Sequence, residues 1–205
     1  LWKGKARRTQ AVHQQRTRRP CFGELIQIDG SPHDWFEGRA PRCCLIVFID
    51  DATSRLVELR FEESETTLAY FNATRSYIKR HGRPLAYYSD KYGVFRINIA
   101  NAQSGTGETQ FARAARELGI KIICANTPQA KGRVERANGT LQDRLVKELR
   151  LQNINDSEIA NKFLPAFMED YNKRFSVEPM SQVDAHRKVL PSDDVLDILL
   201  SNQVT

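Results

Sequence analysis

The chain has 205 residues, 40% of them hydrophobic and 27% charged, which is enough for one sizeable domain with a buried core. No apolar run approaches the roughly 18 residues that a membrane-spanning helix needs, which excludes a membrane partner at this stage. The four cysteines form no C-x-x-C pair, which argues against a disulfide framework and a structural zinc site. We therefore expect a cytoplasmic protein with reduced thiols and, because the chain begins with Leu1, a segment of a longer one.

Positive charge is concentrated at the amino-terminal end. The net charge is +6, and residues 1–20 carry seven Lys and Arg without any acid, which leaves −1 for the remainder. Such a basic arm is typical of nucleic-acid binding, because each Lys or Arg that meets a phosphate releases condensed counterions. A solvated linker between domains explains the charge alone equally well. The arm supplies four candidate DNA contacts, Arg7, Arg8, Arg18 and Arg19.

Beyond Pro20 the sequence predicts alternating strands and helices. In chain order these are a strand at 24–30, two strands around a turn at 42–64, a helix at 64–84, a strand at 84–90, a polar loop at 96–110, a helix at 111–118, a strand at 120–126, and helices near 131–150, 156–175 and 192–201. Ser64 is the predicted N-cap of the helix that Gly82 ends, and Pro165 is expected to start or kink a helix. Asp50 and Asp51 are assigned to the tight turn between two strands.

This order predicts an α/β fold. The first three strands form an antiparallel meander, and the two later strands pair in parallel through helical crossovers. The result is a five-stranded mixed sheet with helices on both faces. We divide the chain into the arm or linker at 1–20, a core at 21–178 and a C-terminal extension with a short helix at 179–205.

Three carboxylates are the candidate functional residues. Asp29 and Asp90 are each predicted to end an apolar strand, where sites form in open α/β sheets. Glu135 lies on a helix whose apolar stripe contains Val134, Ala137, Leu141, Leu145 and Leu149, and whose polar stripe contains Lys131, Glu135, Asn138 and Gln142. Carboxylates that converge without Cys or His suit a hard cation such as Mg²⁺ or Mn²⁺.

Each carboxylate also has a simpler explanation. An Asp after a strand is usually a turn or cap residue, and a Glu among arginines is usually a surface ion pair. Only the joint placement of Asp29, Asp90 and Glu135, in a chain with a basic arm, favours a site.

Three sequence blocks resemble those of a known family. The blocks "IQIDG", "YYSDKYGVF" and "TPQAKGRVERANGTLQDRL" are similar to the signatures of the retroviral-type integrase catalytic core, which bacterial insertion-sequence transposases share. This is the DDE group, with a ribonuclease-H-like fold, and the third block is the most specific part of the resemblance. The stretches "SDKYGVFRIN", "AKGRVER" and "TLQDRLVKELRL" together resemble the ISNCY group in particular. The resemblance covers residues 22–175. Lys91 departs from it by replacing a common Asn, and Gly139 and Gln142 stand where retroviral relatives often carry lysines.

The resemblance implies a metal-dependent polynucleotidyl transferase that cuts transposon ends and joins them to target DNA. Asp29, Asp90 and Glu135 would be the catalytic residues and would hold two Mg²⁺ or Mn²⁺ ions. Water would be the nucleophile for cleavage and a freed 3′-hydroxyl the nucleophile for strand transfer. Lys131 is the first candidate for a phosphate contact near the scissile bond, followed by Lys91 and Arg133.

The expected partner is double-stranded DNA, bound by a homodimer or higher oligomer because two ends are joined, with DNA-recognition domains outside the segment. Three other interpretations stay open. One is a hydrolytic nuclease of the same fold. The second is a catalytically inert DNA-binding or assembly module. The third is an interaction domain whose carboxylates never converge.

Overall fold

The computed structural model describes residues 17–90, 94–95, 108–124, 132–188 and 193–201. In these residues the strands are β1 (Cys21–Phe22), β2 (Leu25–His33), β3 (Cys43–Asp50), β4 (Leu56–Glu62), β5 (Ala86–Ser89), β6 (Lys121–Cys124) and β7 (Ser181–Asp184). The helices are α1 (Thr67–His81), α2 (Gln110–Glu117), α3 (Gly132–Leu151), α4 (Ser157–Phe175) and α5 (Asp193–Leu199). Most of the loop predicted at 96–110 lies outside the described residues.

The main sheet has five strands in the order β4-β3-β2-β5-β6. β2, β3 and β4 pair antiparallel, whereas β5 pairs parallel with β2 on one side and with β6 on the other. The predicted mixed sheet is therefore confirmed. The turn between β3 and β4 closes as expected on Asp50, whose carboxylate accepts hydrogen bonds from the amide and the hydroxyl of Thr53 at 2.8 and 2.7 Å.

Strand β2 is longer than the sequence indicates. Asp29 was predicted to end this strand, and that is wrong: β2 continues to His33, which pairs with Cys43 of β3. The parallel ladder with β5, by contrast, stops at Gln27 and Tyr88. Beyond Gln27 one side of β2 is thus a sheet edge, where a residue such as Pro32 is tolerated. Asp29 lies just past the end of the parallel ladder, inside a strand that its antiparallel partner extends.

Two helix predictions need correction. The N-cap of α1 is Thr66 rather than Ser64, because the hydroxyl of Thr66 accepts a hydrogen bond from the Ala69 amide at 3.1 Å. Helix α4 starts at the Asp156 cap and continues through Pro165, so Pro165 does not start a helix, while the predicted alternative, a kink, stays a prediction. The prediction that Gly82 ends α1 is confirmed.

Helices cover both faces of the sheet, as predicted. On one face, α1, α2 and α5 pack on the sheet in a cluster that includes Ile26, Ile28, Tyr77, Phe111 and Leu196. On the other face, α3 and α4 pack on Val47, Leu59 and their neighbours. All five residues of the predicted apolar stripe of α3 are buried in this second cluster, namely Val134, Ala137, Leu141, Leu145 and Leu149. Burial of that stripe fixes which side of α3 faces the sheet.

The C-terminal residues pack on the core through three features that the sequence does not indicate. β7 pairs parallel with β1 in a second, two-stranded sheet, and Arg187 forms a β-bridge with Arg83. His186 Nε2 and Tyr77 Oη are hydrogen-bonded to each other at 2.5 Å. The boundary placed between residues 178 and 179 stays a prediction.

Two asparagines of α4 cover the outer edge of β4. Asn161 accepts a hydrogen bond from the Phe61 amide at 2.7 Å and donates one to the Phe61 carbonyl at 3.0 Å. Asn172 does the same for Leu56, at 2.8 Å in both directions. Each side-chain amide therefore replaces the peptide group that another strand would offer.

We expect Asn172→Asp to lower the free energy of unfolding by about 1–3 kcal/mol, because the carboxylate cannot donate to the Leu56 carbonyl and places a charge beside it. Urea unfolding followed by circular dichroism measures this loss. Asn155→Asp, at an exposed position, is the control and should change stability by less than about 0.5 kcal/mol. Equal effects of the two substitutions would contradict the role given to Asn172.

Candidate active site

Asp29 lies on the face of β2 that packs against α3. Its Oδ2 accepts a hydrogen bond from Asn138 Nδ2 at 2.9 Å, across the contact between strand and helix. Asn138 belongs to the polar stripe that the sequence predicts, so the helix side expected to face the site does reach Asp29. The other amide atom, Asn138 Oδ1, is buried and makes no hydrogen bond within the described part of the chain. An oxygen acceptor next to Asp29 is thus left for another ligand.

Helix α3 runs alongside β2 in a regular register. Alternate strand residues lie about 6.7 Å apart and helix residues four apart about 6 Å, so the two spacings nearly match. Three contacts use this match: the Val134 amide donates to Gln27 Oε1 at 3.1 Å, Asn138 donates to Asp29, and Gln142 Nε2 donates to Ser31 Oγ at 3.1 Å. These bonds fix the position of α3 along the strand that carries Asp29.

Glu135 and Asp90 lie on the elements next to Asp29. Glu135 is an exposed residue in the first turn of α3, between the Val134 and Asn138 contacts. Asp90 is half-buried and follows β5 directly. The last residues paired between β2 and β5 are Gln27 and Tyr88, so Asp29 and Asp90 each follow the end of this ladder by two residues. The fold therefore carries all three carboxylates on adjoining elements.

The three carboxylates do not form a metal cluster in this structure. Within the described stretches, no three or more His, Cys, Asp or Glu side chains are grouped closely enough to hold an ion. The donors fit a hard cation nonetheless, because they are carboxylate oxygens joined by the unpaired Asn138 Oδ1. Convergence of Asp29, Asp90 and Glu135 remains a prediction.

The candidate DNA contacts fall into two groups. Arg7, Arg8, Lys91 and Lys131 lie outside the described residues. The other three make contacts within the chain. Arg18 donates to the Ser54 hydroxyl at 2.8 Å, Arg19 lies 3.4 Å from Glu24 with a half-exposed side chain, and Arg133 pairs with Asp51 at 2.8 Å. Arg133 could meet a phosphate only if its buried ion pair opened.

Asp51 has a second role that the sequence interpretation did not indicate. Its backbone lies in the predicted turn, but the carboxylate that caps this turn is that of Asp50. The Asp51 side chain is fully buried and accepts hydrogen bonds from Gln27 and Arg133. Its partners lie at least 24 residues away in the chain, so no local pattern could have indicated this role.

A fourth carboxylate lies on the opposite face of β2, beside Gly30. A Cβ atom at Gly30 would come within 2.4 Å of Glu65 Cδ, so the absence of a side chain there makes room for Glu65. Tyr70 donates its hydroxyl to Glu65 at 2.6 Å. Burial, followed by the charge of Glu65, raises the pKa of Tyr70 well above its ordinary value of 10.0. Tyr70 therefore remains a hydrogen-bond donor to Glu65 at physiological pH.

The nearby cysteines are not suited to chemistry. Burial raises the pKa of Cys43 to about 11 and that of Cys44 to about 12. Both thiols stay protonated at neutral pH and are neither nucleophiles nor metal ligands. All four cysteines are free, as the sequence predicts.

The fold is that of a retroviral-type integrase catalytic core. No protein-family model matches the chain. The HTLV-2 integrase catalytic core domain in complex with magnesium, in its dimeric form, superposes with a TM-score of 0.51 and 21% identity over 70% of this chain and 85% of that domain. Its trimeric form gives 0.51 and 20% over 69% of this chain and 82% of the domain. These matches confirm the predicted ribonuclease-H-like fold.

Sequence comparison then gives the more particular relationship. The chain is 52% identical, over 204 residues, to the protein named "Putative transposase y4bF" of Sinorhizobium fredii, covering 99% of this chain and 44% of that protein. It is 40% identical, over 166 residues, to the transposase for insertion sequence IS1202 of Streptococcus pneumoniae, covering 80% and 35%. The predicted relationship to bacterial insertion-sequence transposases is confirmed. The chain spans less than half the length of these two relatives.

No helix in the described stretches has the length and hydrophobicity to cross a bilayer.

Proposed function

We propose that this chain is the catalytic core of a DDE transposase, which cleaves DNA at transposon ends and transfers the cut strand to target DNA. The observation that carries the proposal is the arrangement around Asp29, where α3 is hydrogen-bonded along β2 and the parallel strand β5 ends directly before Asp90. Two relatives named as transposases support it. The chain spans less than half the length of each relative, so the activity is proposed for a protein of the relatives' full length.

Asp29, Asp90 and Glu135 would hold divalent cations, Mg²⁺ or Mn²⁺, together with their water. Such ions, when bound, activate the attacking oxygen and neutralise charge on the leaving 3′ oxygen. The chain's own part is to place the carboxylates. Asn138 fixes the orientation of the Asp29 carboxylate, since its amide donates to Oδ2. The hydrogen bonds of Gln27 and Ser31 to α3 hold the helix of Glu135 against the same strand.

DNA would enter from the exposed side of α3. Glu135 and Arg136 are exposed there, and Lys131 immediately precedes the helix in sequence. A phosphate near Glu135 could be contacted by the side chains of Arg136 and Lys131. Such contacts position DNA without reading its sequence. We propose Lys131, Lys91 and the basic arm as further phosphate contacts, and an oligomer that holds two ends together.

A strand-transfer assay tests the proposal. The full-length protein is incubated with labelled DNA from the borders of its own element and with a supercoiled target plasmid, in Mn²⁺ or in EDTA. We expect end DNA joined to the plasmid only in Mn²⁺. Shortened strands without joined product would indicate a hydrolytic nuclease of the same fold. Bound but intact DNA would indicate an inert binding module, and either result would overturn the proposal.

A further inference from the structure

The Asp51 carboxylate connects three separate segments of the chain. It accepts hydrogen bonds from the Arg19 amide at 2.9 Å, from Gln27 Nε2 at 2.8 Å and from Arg133 Nη1 at 2.8 Å. These donors come from the segment before β1, from β2 and from the first turn of α3. The side chain has no exposed surface, and Arg133 is only 11% exposed. Asp51 is therefore enclosed by its partners and cannot contact DNA.

Gln27 extends the network to the backbone of α3. Its Nε2 donates to Asp51, and its Oε1 accepts from the Val134 amide. Because the two ends of the amide have opposite hydrogen-bonding roles, Asp51 determines which atom faces the helix. The first turn of α3 is thus fastened twice to Asp51, directly through Arg133 and indirectly through Gln27.

Glu135 follows these two fastened residues directly. A carboxylate that holds a cation must be placed within a fraction of an ångström, and neighbours that orient such ligands have large effects on affinity. Val134 also anchors the turn by burial, but burial alone does not set the position of the helix along the strand, which directional hydrogen bonds can set. The buried network supplies that directional restraint.

We propose that Asp51 is a positioning residue that sets the first turn of α3, and with it Glu135, for the reaction. The same residue fastens the end of the basic arm, since its carbonyl accepts from Arg18 Nη1 at 3.1 Å and its carboxylate from the Arg19 amide. Arg18 and Arg19 therefore lie on the same residue that holds the start of α3. This inference rests on the proposed function.

The test measures Mn²⁺ binding by electron paramagnetic resonance, with the full-length protein on its end DNA, together with the melting temperature. We expect Asp51→Asn to weaken Mn²⁺ binding about 10-fold. Glu58→Gln is the matched control. Glu58 is also a buried carboxylate paired with an arginine, Arg80, but it joins β4 to α1 rather than to α3. It should lower the melting temperature and leave Mn²⁺ affinity within about 2-fold.

A double substitution tests the route through Arg133. If Asp51 acts mainly through Arg133, Asp51→Asn combined with Arg133→Met should bind Mn²⁺ no more weakly than Asp51→Asn alone. Should Asp51→Asn fail to fold, Arg133→Lys, which keeps the charge but loses the planar guanidinium, replaces it and should weaken binding in the same direction.

Two results overturn the inference while leaving the proposed function intact. One is wild-type Mn²⁺ affinity in the folded Asp51→Asn protein. The other is equal weakening by Glu58→Gln. Failure of the proposed function would give a different result. The wild-type complex and the Asp29→Asn complex would then bind the same amount of Mn²⁺.

Discussion

Asp29→Asn, Asp90→Asn and Glu135→Gln should each reduce strand transfer by about 10³-fold or more, since each removes a charged oxygen donor and metal-ion stabilisation amounts to several kcal/mol. The isosteric amides keep the shape of the side chains, and in the proposed converged site loss of a negative charge would relieve repulsion among the carboxylates. The melting temperature should therefore stay unchanged or rise. Quantitative joining assays and thermal denaturation of the full-length protein measure the two effects.

The control for this series is Asp143→Asn. Asp143 is an exposed carboxylate on the same helix as Glu135, paired with Lys147 at 2.5 Å. Because exposed ion pairs contribute little, both strand transfer and stability should remain near wild type. If one of the three variants retained a tenth of the wild-type strand-transfer activity, the residue substituted in it would not be a metal ligand.

Gly82→Ala should lower the free energy of unfolding by about 3–5 kcal/mol. Gly82 ends α1 with φ 89° and ψ −174°, a conformation that side chains rarely adopt. An added Cβ would also lie 2.5 Å from the backbone carbonyl oxygen of Arg187, which cannot rotate away. The substitution should therefore displace the C-terminal segment as well as strain α1. Denaturant unfolding gives the loss, and limited proteolysis after residue 178 reports the displacement.

Gly38→Ala separates strain from contact. Gly38 also has a positive φ, 75°, but it is exposed, and an added Cβ would meet no atom within 4 Å. Only the conformational penalty remains, about 1–2 kcal/mol. If Gly38→Ala and Gly82→Ala were equally destabilising, the close approach of the added Cβ to the Arg187 carbonyl would contribute nothing to the free energy of unfolding.

Periodic patterns in the sequence predicted the fold well. The apolar stripe of α3 could be predicted from apolar residues spaced three and four positions apart. The order of strands and helices limited the sheet to a mixed arrangement. Local choices between similar signals were less certain. Ser64 and Thr66 are both good N-cap residues. Which of them caps α1 depends on where the helix meets the sheet. Pro165 lies in a helix whose packing on β4 outweighs one missing hydrogen bond.

The site was predictable only in part. Asp29, Asp90 and Glu135 could be proposed because strand ends and a helix face are local features and because the blocks resemble a known family, and their joint role stays a prediction. Asp51 was missed because its partners, Arg19, Gln27 and Arg133, come together only in the folded chain. The extension of β2 past Asp29 was missed for the same reason, since β3 supplies the pairing.

The hydrogen bonds from two asparagines of α4 to the backbone of β4 limit how copies of this protein can associate. A sheet whose boundary strand exposes free peptide groups can grow by adding a strand from a neighbouring molecule. Here Asn161 and Asn172 occupy those groups at both ends of the boundary strand. Two copies therefore cannot merge their sheets across β4 without first detaching α4. In the proposed oligomer on DNA, subunits would instead meet through side-chain surfaces, which can separate without breaking a shared sheet.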